Sequence, residues 1–239
     1  MPYLLSRPIH PSVPELWKEG APYQRTSIYD GCHEDASPSS PPVRYDAHIL
    51  KPHSLAHADA PAHILKNRRT IDSYFSTQWE GSPFWGKAVV IRVPKTSFEN
   101  QVCRLSLPLL KKLLQKATGN ADIPERLLIT ADDLPASPDL SHPADWPLVL
   151  DEEAANDLVS ARHFVLFGTS WKSTDFMRGS RERPIHRILF QRALLFECLD
   201  LTAVPAGEYF WVGVPLRLQG ASESPVCPVL FTRDELGDF

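Results

Sequence analysis

Apolar and polar positions along this chain fall into short blocks separated by proline-rich and glycine-rich connections. Gly86-Lys87-Ala88-Val89-Val90-Ile91-Arg92-Val93 is β-branched and bounded by Gly86 and Pro94, the pattern of a buried strand. Pro108 to Ala117 places leucines at helical spacing. Pro108 suits a first turn and Gly119 lies just past the end, so the segment predicts a helix. Arg126 to Ala131 predicts a second strand that runs into a polar loop, Asp132 to Trp146. Asp151 to Val159 opens with acids that favour a helix N-terminus. His163 to Gly168 predicts a strand ending at a turn glycine. Arg187 to Cys198 is apolar throughout and fits helix or strand. Glu208 to Leu216 predicts a late strand, and Ala47 to Leu50 a short early one. Strands and helices alternate, which predicts an α/β domain without internal repeats.

Residues 1–45 are rich in proline, serine and polar groups. They are expected to form an N-terminal arm or flap, with Ser37 to Pro42 as a loop, ahead of a domain at 46–239. The composition is that of an ordinary globular protein: 239 residues, 43% hydrophobic and 23% charged. A net charge of −4 argues against a nucleic-acid surface. No apolar stretch approaches the ~20 residues of a membrane span, and the N-terminus lacks the pattern of a signal peptide. Cys32, Cys103, Cys198 and Cys227 are widely spaced and form no CxxC pair, so they read as free thiols of a cytoplasmic protein.

The chemistry concentrates in His53-Ser54-Leu55-Ala56-His57-Ala58-Asp59-Ala60-Pro61-Ala62-His63, which holds three of the nine histidines. Imidazole and carboxylate are the ligands of zinc or manganese. A histidine places a metal roughly 6 Å from its Cα, so two on one ion have Cα atoms at most ~12 Å apart. In a straight strand His53 and His57 would stand about 13 Å apart. The chain must therefore turn between them if they share an ion. His57 and Asp59 share a face in extended backbone, whereas Pro61 leaves the direction of His63 open. The alternative is a histidine cluster on a solvated loop. Asp132-Asp133 reads as a solvated pair. His10, His33, His48, His142 and His163 read as surface or packing residues. Ser170 lacks the Gly-x-Ser-x-Gly context of a nucleophile elbow.

The spacing His-x-x-x-His-x-Asp-x-Pro-x-His resembles the motif of the cyclase and kynurenine formamidase family of metal-dependent hydrolases. Leu55-Ala56 stands where the family usually has Gly-Thr. Phe164 to Ser170 resembles the family's Gly-(Ile-Asp)-Thr-type segment without its aspartate. His186-Arg187-Ile188-Leu189, Glu197-Cys198-Leu199, Val204 to Tyr209, Val214 to Leu218 and Ser224-Pro225-Val226 follow in the family's order. The resemblance covers about residues 45–232. It implies a single α/β domain with a mixed, barrel-like sheet and flanking helices. It implies that His53, His57 and Asp59 are metal ligands and that His63 is the proton-transfer group. His186 and Glu197, eleven residues apart, would complete a second metal site or help shape the first. One or two Zn2+ or Mn2+ ions per chain follow, with a homodimer and a small aromatic amide, formamide or lactam as substrate. Trp17 is the candidate to stack on that ring, with core packing as its equal alternative. A ring-opening or ring-closing tailoring enzyme and a non-catalytic small-molecule binder are the competing expectations.

Overall fold

The computed structural model describes residues 1–30, 43–75, 82–137, 139–175 and 182–237. The Ser37–Pro42 loop, His33 and Cys32 lie outside these residues. In chain order the strands are β1 (Tyr3–Leu4), β2 (Tyr23–Asp30), β3 (Arg44–Leu50), β4 (His57–Asp59), β5 (Trp85–Val93), β6 (Cys103–Leu105) and β7 (Arg126–Ala131). They continue with β8 (Leu148–Leu150), β9 (Leu166–Thr169), β10 (Leu194–Glu197), β11 (Gly207–Val212), β12 (Glu223–Pro225) and β13 (Val229–Phe231). The helices are α1 (Leu107–Thr118), α2 (Glu152–Ser160), α3 (Pro184–Leu189) and α4 (Arg233–Leu236).

Nine strands form one mixed sheet, ordered β1-β13-β11-β5-β7-β9-β10-β4-β12. Strands β5, β7, β9 and β10 run parallel at its centre, and the strands outside them pair antiparallel. The α/β fold class, with a mixed barrel-like sheet and flanking helices, is what the structure shows. The central strands are buried on both faces, which is why β5 and β7 read as nearly continuous apolar runs.

Helix α1 buries Leu110, Leu113 and Leu114, each contributing about 1.5–3 kcal/mol of apolar burial. It ends on Gly119 in the left-handed region, φ 84°. Helix α2 is capped by Asp151, whose carboxylate accepts from the Ala154 N–H at 2.7 Å. These helices and α3 cover one sheet face, through Ile91, Ile129, Phe167 and Leu195. Leu5, Ala58, Phe84, Leu128, Phe196 and Trp211 pack the other. Gly168 permits the close approach of β9 to its neighbours, because a Cβ there would meet Leu128 Cδ2 at 2.3 Å.

The first residues join the main sheet: β1 pairs with β13 and Leu5 is fully buried. Strands β2 and β3 make a separate two-stranded ribbon. The Arg187–Cys198 run resolves into both alternatives, the end of α3 and then β10. The strand expected over Glu208 to Leu216 stops at Val212, before Gly213 and before Pro215, which has no N–H to donate. The strand expected from His163 begins only at Leu166.

Candidate metal centre

The turn that bond lengths require between His53 and His57 is a 3-10 turn, Pro52–Ser54, followed by β4. Leu55 has extended backbone, φ −120° and ψ 170°, so the position does not need glycine. Within β4, His57 and Asp59 point to the same face, and both are fully buried. Register carries the pattern sideways: His57 pairs with Glu197 of β10, and Asp59 pairs with Glu223 of β12. A second 3-10 turn, Pro61–His63, brings His63 back over the strand, and α3 supplies His186.

Ligand atoms on a tetrahedral ion with ~2.0–2.1 Å bonds stand about 3.3 Å apart. His53 Nδ1 lies 3.3 Å from His57 Nε2. His57 Nε2 is 3.5 Å from Asp59 Oδ2, and His53 Nδ1 is 3.9 Å from Asp59 Oδ1. His63 Nε2 is 4.0 Å from Asp59 Oδ2. Glu197 bridges the two halves, 3.7 Å from His57 Nε2 and 3.5 Å from His186 Nε2. The structure thus brings together all six residues of the histidine motif and its C-terminal partners. The eleven-residue spacing of His186 and Glu197 is absorbed in the connection between α3 and β10.

Both oxygens of Asp59 are buried without a hydrogen-bond partner. A buried carboxylate in this state is costly unless a cation balances it. Burial alone would raise its pKa, but the imidazoles of His57, His63 and His53 outweigh it and hold the carboxyl far below the usual range. Burial works against a charge on His57, yet Asp59 pulls that imidazole's pKa well above its ordinary value. Burial raises the pKa of Glu197. The pocket demands positive charge, and its nitrogen and carboxylate donors suit zinc or manganese.

The ring orientations are set from behind. His57 Nδ1–H donates to the Leu55 carbonyl at 2.8 Å, which turns Nε2 toward Asp59. His186 Nδ1–H donates to Asp175 Oδ2 at 2.5 Å, leaving Nε2 toward Glu197. Asp175 also accepts from the Ile185 and His186 N–H groups, and the Thr174 N–H donates to Glu197 Oε1 at 2.6 Å. Sequence reading missed Thr174, Asp175 and Glu223. The signal for Asp175 was a carboxylate five residues beyond a segment lacking its aspartate.

Residues 3–184 match the model of the Cyclase family, described as "Putative cyclase". The chain belongs to the cyclase family. It is 27% identical over 224 residues to kynurenine formamidase of Polaromonas naphthalenivorans (strain CJ2), covering 90% of each chain. It is 26% identical over 235 residues to kynurenine formamidase of Paracidovorax citrulli (strain AAC00-1), covering 95% of each. Among solved structures, isatin hydrolase A from Ralstonia solanacearum superposes with a TM-score of 0.71 at 22% identity. That match covers 97% of this chain and 92% of that one.

In this cyclase-family chain the N-terminal segment clamps the turn that carries His53. The Trp17 indole N–H donates to the His53 carbonyl at 3.1 Å, and the Leu16 N–H donates to Ser54 Oγ at 2.8 Å. Trp17 is 40% exposed, with Lys172 Nζ 4.5 Å from its ring centroid. A cavity of about 310 Å³ is lined by Ser54, Leu55 and Cys198, chain neighbours of His53 and Glu197, together with Ile9, Val13 and Lys172. Of the remaining histidines, His10, His48 and His163 are exposed, and His142 is buried. Asp132 pairs with Arg92 rather than standing free. Cys103, Cys198 and Cys227 are free thiols. No helix among the described residues is long and apolar enough to cross a membrane.

Proposed function

We propose that the chain is a metal-dependent hydrolase that opens an amide, formamide or lactam bond of a small aromatic substrate. The observation that carries this reading is Asp59, fully buried with both oxygens unpartnered inside a ring of imidazoles. The kynurenine formamidase relatives and the isatin hydrolase neighbours support the hydrolase class and the aromatic amide or lactam substrate.

His53, His57 and Asp59 would hold a zinc or manganese ion, with His186 and Glu197 completing a second position or shaping the first. Such an ion, when bound, supplies a Lewis acid that activates water and polarises a carbonyl. His63, a fifth exposed at the rim and 4.0 Å from Asp59, takes the proton from water and returns one to the leaving nitrogen. Burial lowers the His63 pKa and Asp59 partly restores it, so the imidazole is neutral and ready to accept. Leu55 and Ile9 give the cavity apolar walls for a ring, and the partly exposed Trp17, whose chain neighbour Leu16 lines the cavity, offers an aromatic face. The apolar Leu55-Ala56 step also suits a lactone or other ring-opening substrate, which is the second reading. The three free thiols fit a cytoplasmic protein. Exposed Ile28, Tyr45 and Ile49 on the β2–β3 ribbon support a homodimer through that ribbon.

The test is metal analysis of protein purified under metal-replete conditions, with turnover of formylated anilines, lactams and lactones. At least one equivalent of zinc or manganese is expected. Turnover of one substrate class should be lost in His63→Ala while metal is retained. Protein without stoichiometric divalent metal overturns the reading.

A further inference from the structure

Glu223 has no part in the ligand set implied by the histidine motif, yet the sheet aims it at the same centre. It pairs with Asp59 in the antiparallel register of β12 on β4, so both side chains rise from one face. Its carboxylate, a nitrogen of His63 and a nitrogen of His53 all lie within 4.8 Å of one another. All three residues are partly exposed, whereas His57 and Asp59 are fully buried. The Ser222 hydroxyl donates to Oε2 of Glu223, which orients the carboxylate and leaves Oε1 as donor. Two imidazoles and a carboxylate with solvent on the remaining side match the ligand types of an open zinc position.

We propose that His53, His63 and Glu223 form an outer position for a divalent cation, additional to any that His186 and Glu197 complete, and that filling it inhibits the enzyme. The inner set is compact, with donor separations of 3.3–3.9 Å close to those of a tetrahedral ion. The outer set is partly exposed, so water competes for its ion and it binds more weakly. An ion there takes the lone pair of His63, and the imidazole then neither accepts nor returns a proton. Catalysis stops while His53 serves both ions through its two ring nitrogens, its remaining N–H proton passing to solvent. This inference rests on the reading of His63 as the proton carrier.

The experiment uses the full chain, stripped of metal and reconstituted with zinc alone. Equilibrium dialysis with elemental analysis should resolve tightly held zinc and one weaker equivalent. Glu223→Gln and His63→Ala should each weaken that equivalent about tenfold or more while the tight zinc stays. Raising zinc to tenfold excess should cut wild-type turnover at least fivefold and Glu223→Gln turnover by less than twofold, each relative to its own rate at stoichiometric zinc. Matching thermal melts establish that the variants are folded. A weaker equivalent unchanged in Glu223→Gln, or lost in Glu197→Gln instead, overturns the outer position. Its absence from the wild type does the same. Loss of the tight zinc from the wild type itself would overturn the proposed function instead, so the two failures are distinct.

Discussion

Among the described residues, the polar groups around two buried imidazoles, His142 and His57, differ in how they are satisfied. At His142, Nε2–H donates to the Trp146 carbonyl, and Nδ1 lies 2.9 Å from Ser170 Oγ. Ser170 Oγ is in turn 2.9 Å from Thr130 Oγ1. Burial pushes the His142 pKa down to about 4, with the Trp146 carbonyl partly opposing, so the ring is neutral and fully bonded. At His57 the ring is equally buried, but its neighbour Asp59 has two oxygens without a hydrogen-bond partner. Histidines alone therefore do not mark a metal centre. A buried carboxylate left unpartnered among imidazole nitrogens is what makes the second one a candidate.

The sharpest way to break this contrast is to remove the unpartnered charge. Asp59→Asn should abolish tight metal binding and lower turnover about a thousandfold, equivalent to about 4 kcal/mol of lost transition-state stabilisation. His142→Gln should leave the metal content at the wild-type level, and elemental analysis of both variants checks the pair. If Asp59→Asn keeps its metal, the contrast fails.

Acid should separate the clusters next. In the unfolded chain His142 titrates near 6.5, whereas the folded ring refuses a proton until about pH 4. Above pH 6.5 both states are neutral and this ring contributes no pH dependence. As pH falls from about 6.5 to about 4 the unfolded state gains the proton first, so stability drops by about 3 kcal/mol. Urea midpoints measured across that window in wild type and His142→Gln should differ in slope, with the variant flatter.

The partners behind the rings give smaller effects. Asp175→Asn should weaken zinc about 10–100-fold, read by competition with a chelator, because His186 loses the carboxylate that orients it. Ser170→Ala should cost about 1 kcal/mol in urea unfolding, without changing metal content, because His142 Nδ1 loses its hydroxyl partner.

Strands β5 and β7 and helices α1 and α2 were legible because each has six or more residues in which a period repeats. Strands β1, β4, β6, β8, β12 and β13 have two or three residues each, too few to show alternation, and tertiary pairing alone defines them. His53, His57 and Asp59 were legible as a candidate set because they fall in one short run, and the family resemblance supplied their roles. Thr174, Asp175 and Glu223 were not legible, because their partners lie ten or more residues away. Cross-strand register brings Glu223 to Asp59, and an ion pair with a ring on α3 fixes Asp175. The two-residue strand that opens the chain shows the same limit. Nothing in its local pattern announces that Leu5 belongs to the core of a sheet whose partner strand is more than 200 residues away.

Leu55 divides its work between two atoms groups. Its carbonyl accepts from His57 and so fixes which nitrogen faces the centre, while its side chain forms part of the cavity wall. Backbone serves the chemistry and side chain serves the shape, and extended φ/ψ leaves the side chain replaceable. Leu55 is buried, so the position can exchange among apolar residues, changing the cavity wall while the carbonyl contact to His57 stays in place. A scaffold built this way can reshape its cavity at one codon without turning the imidazole that its backbone holds.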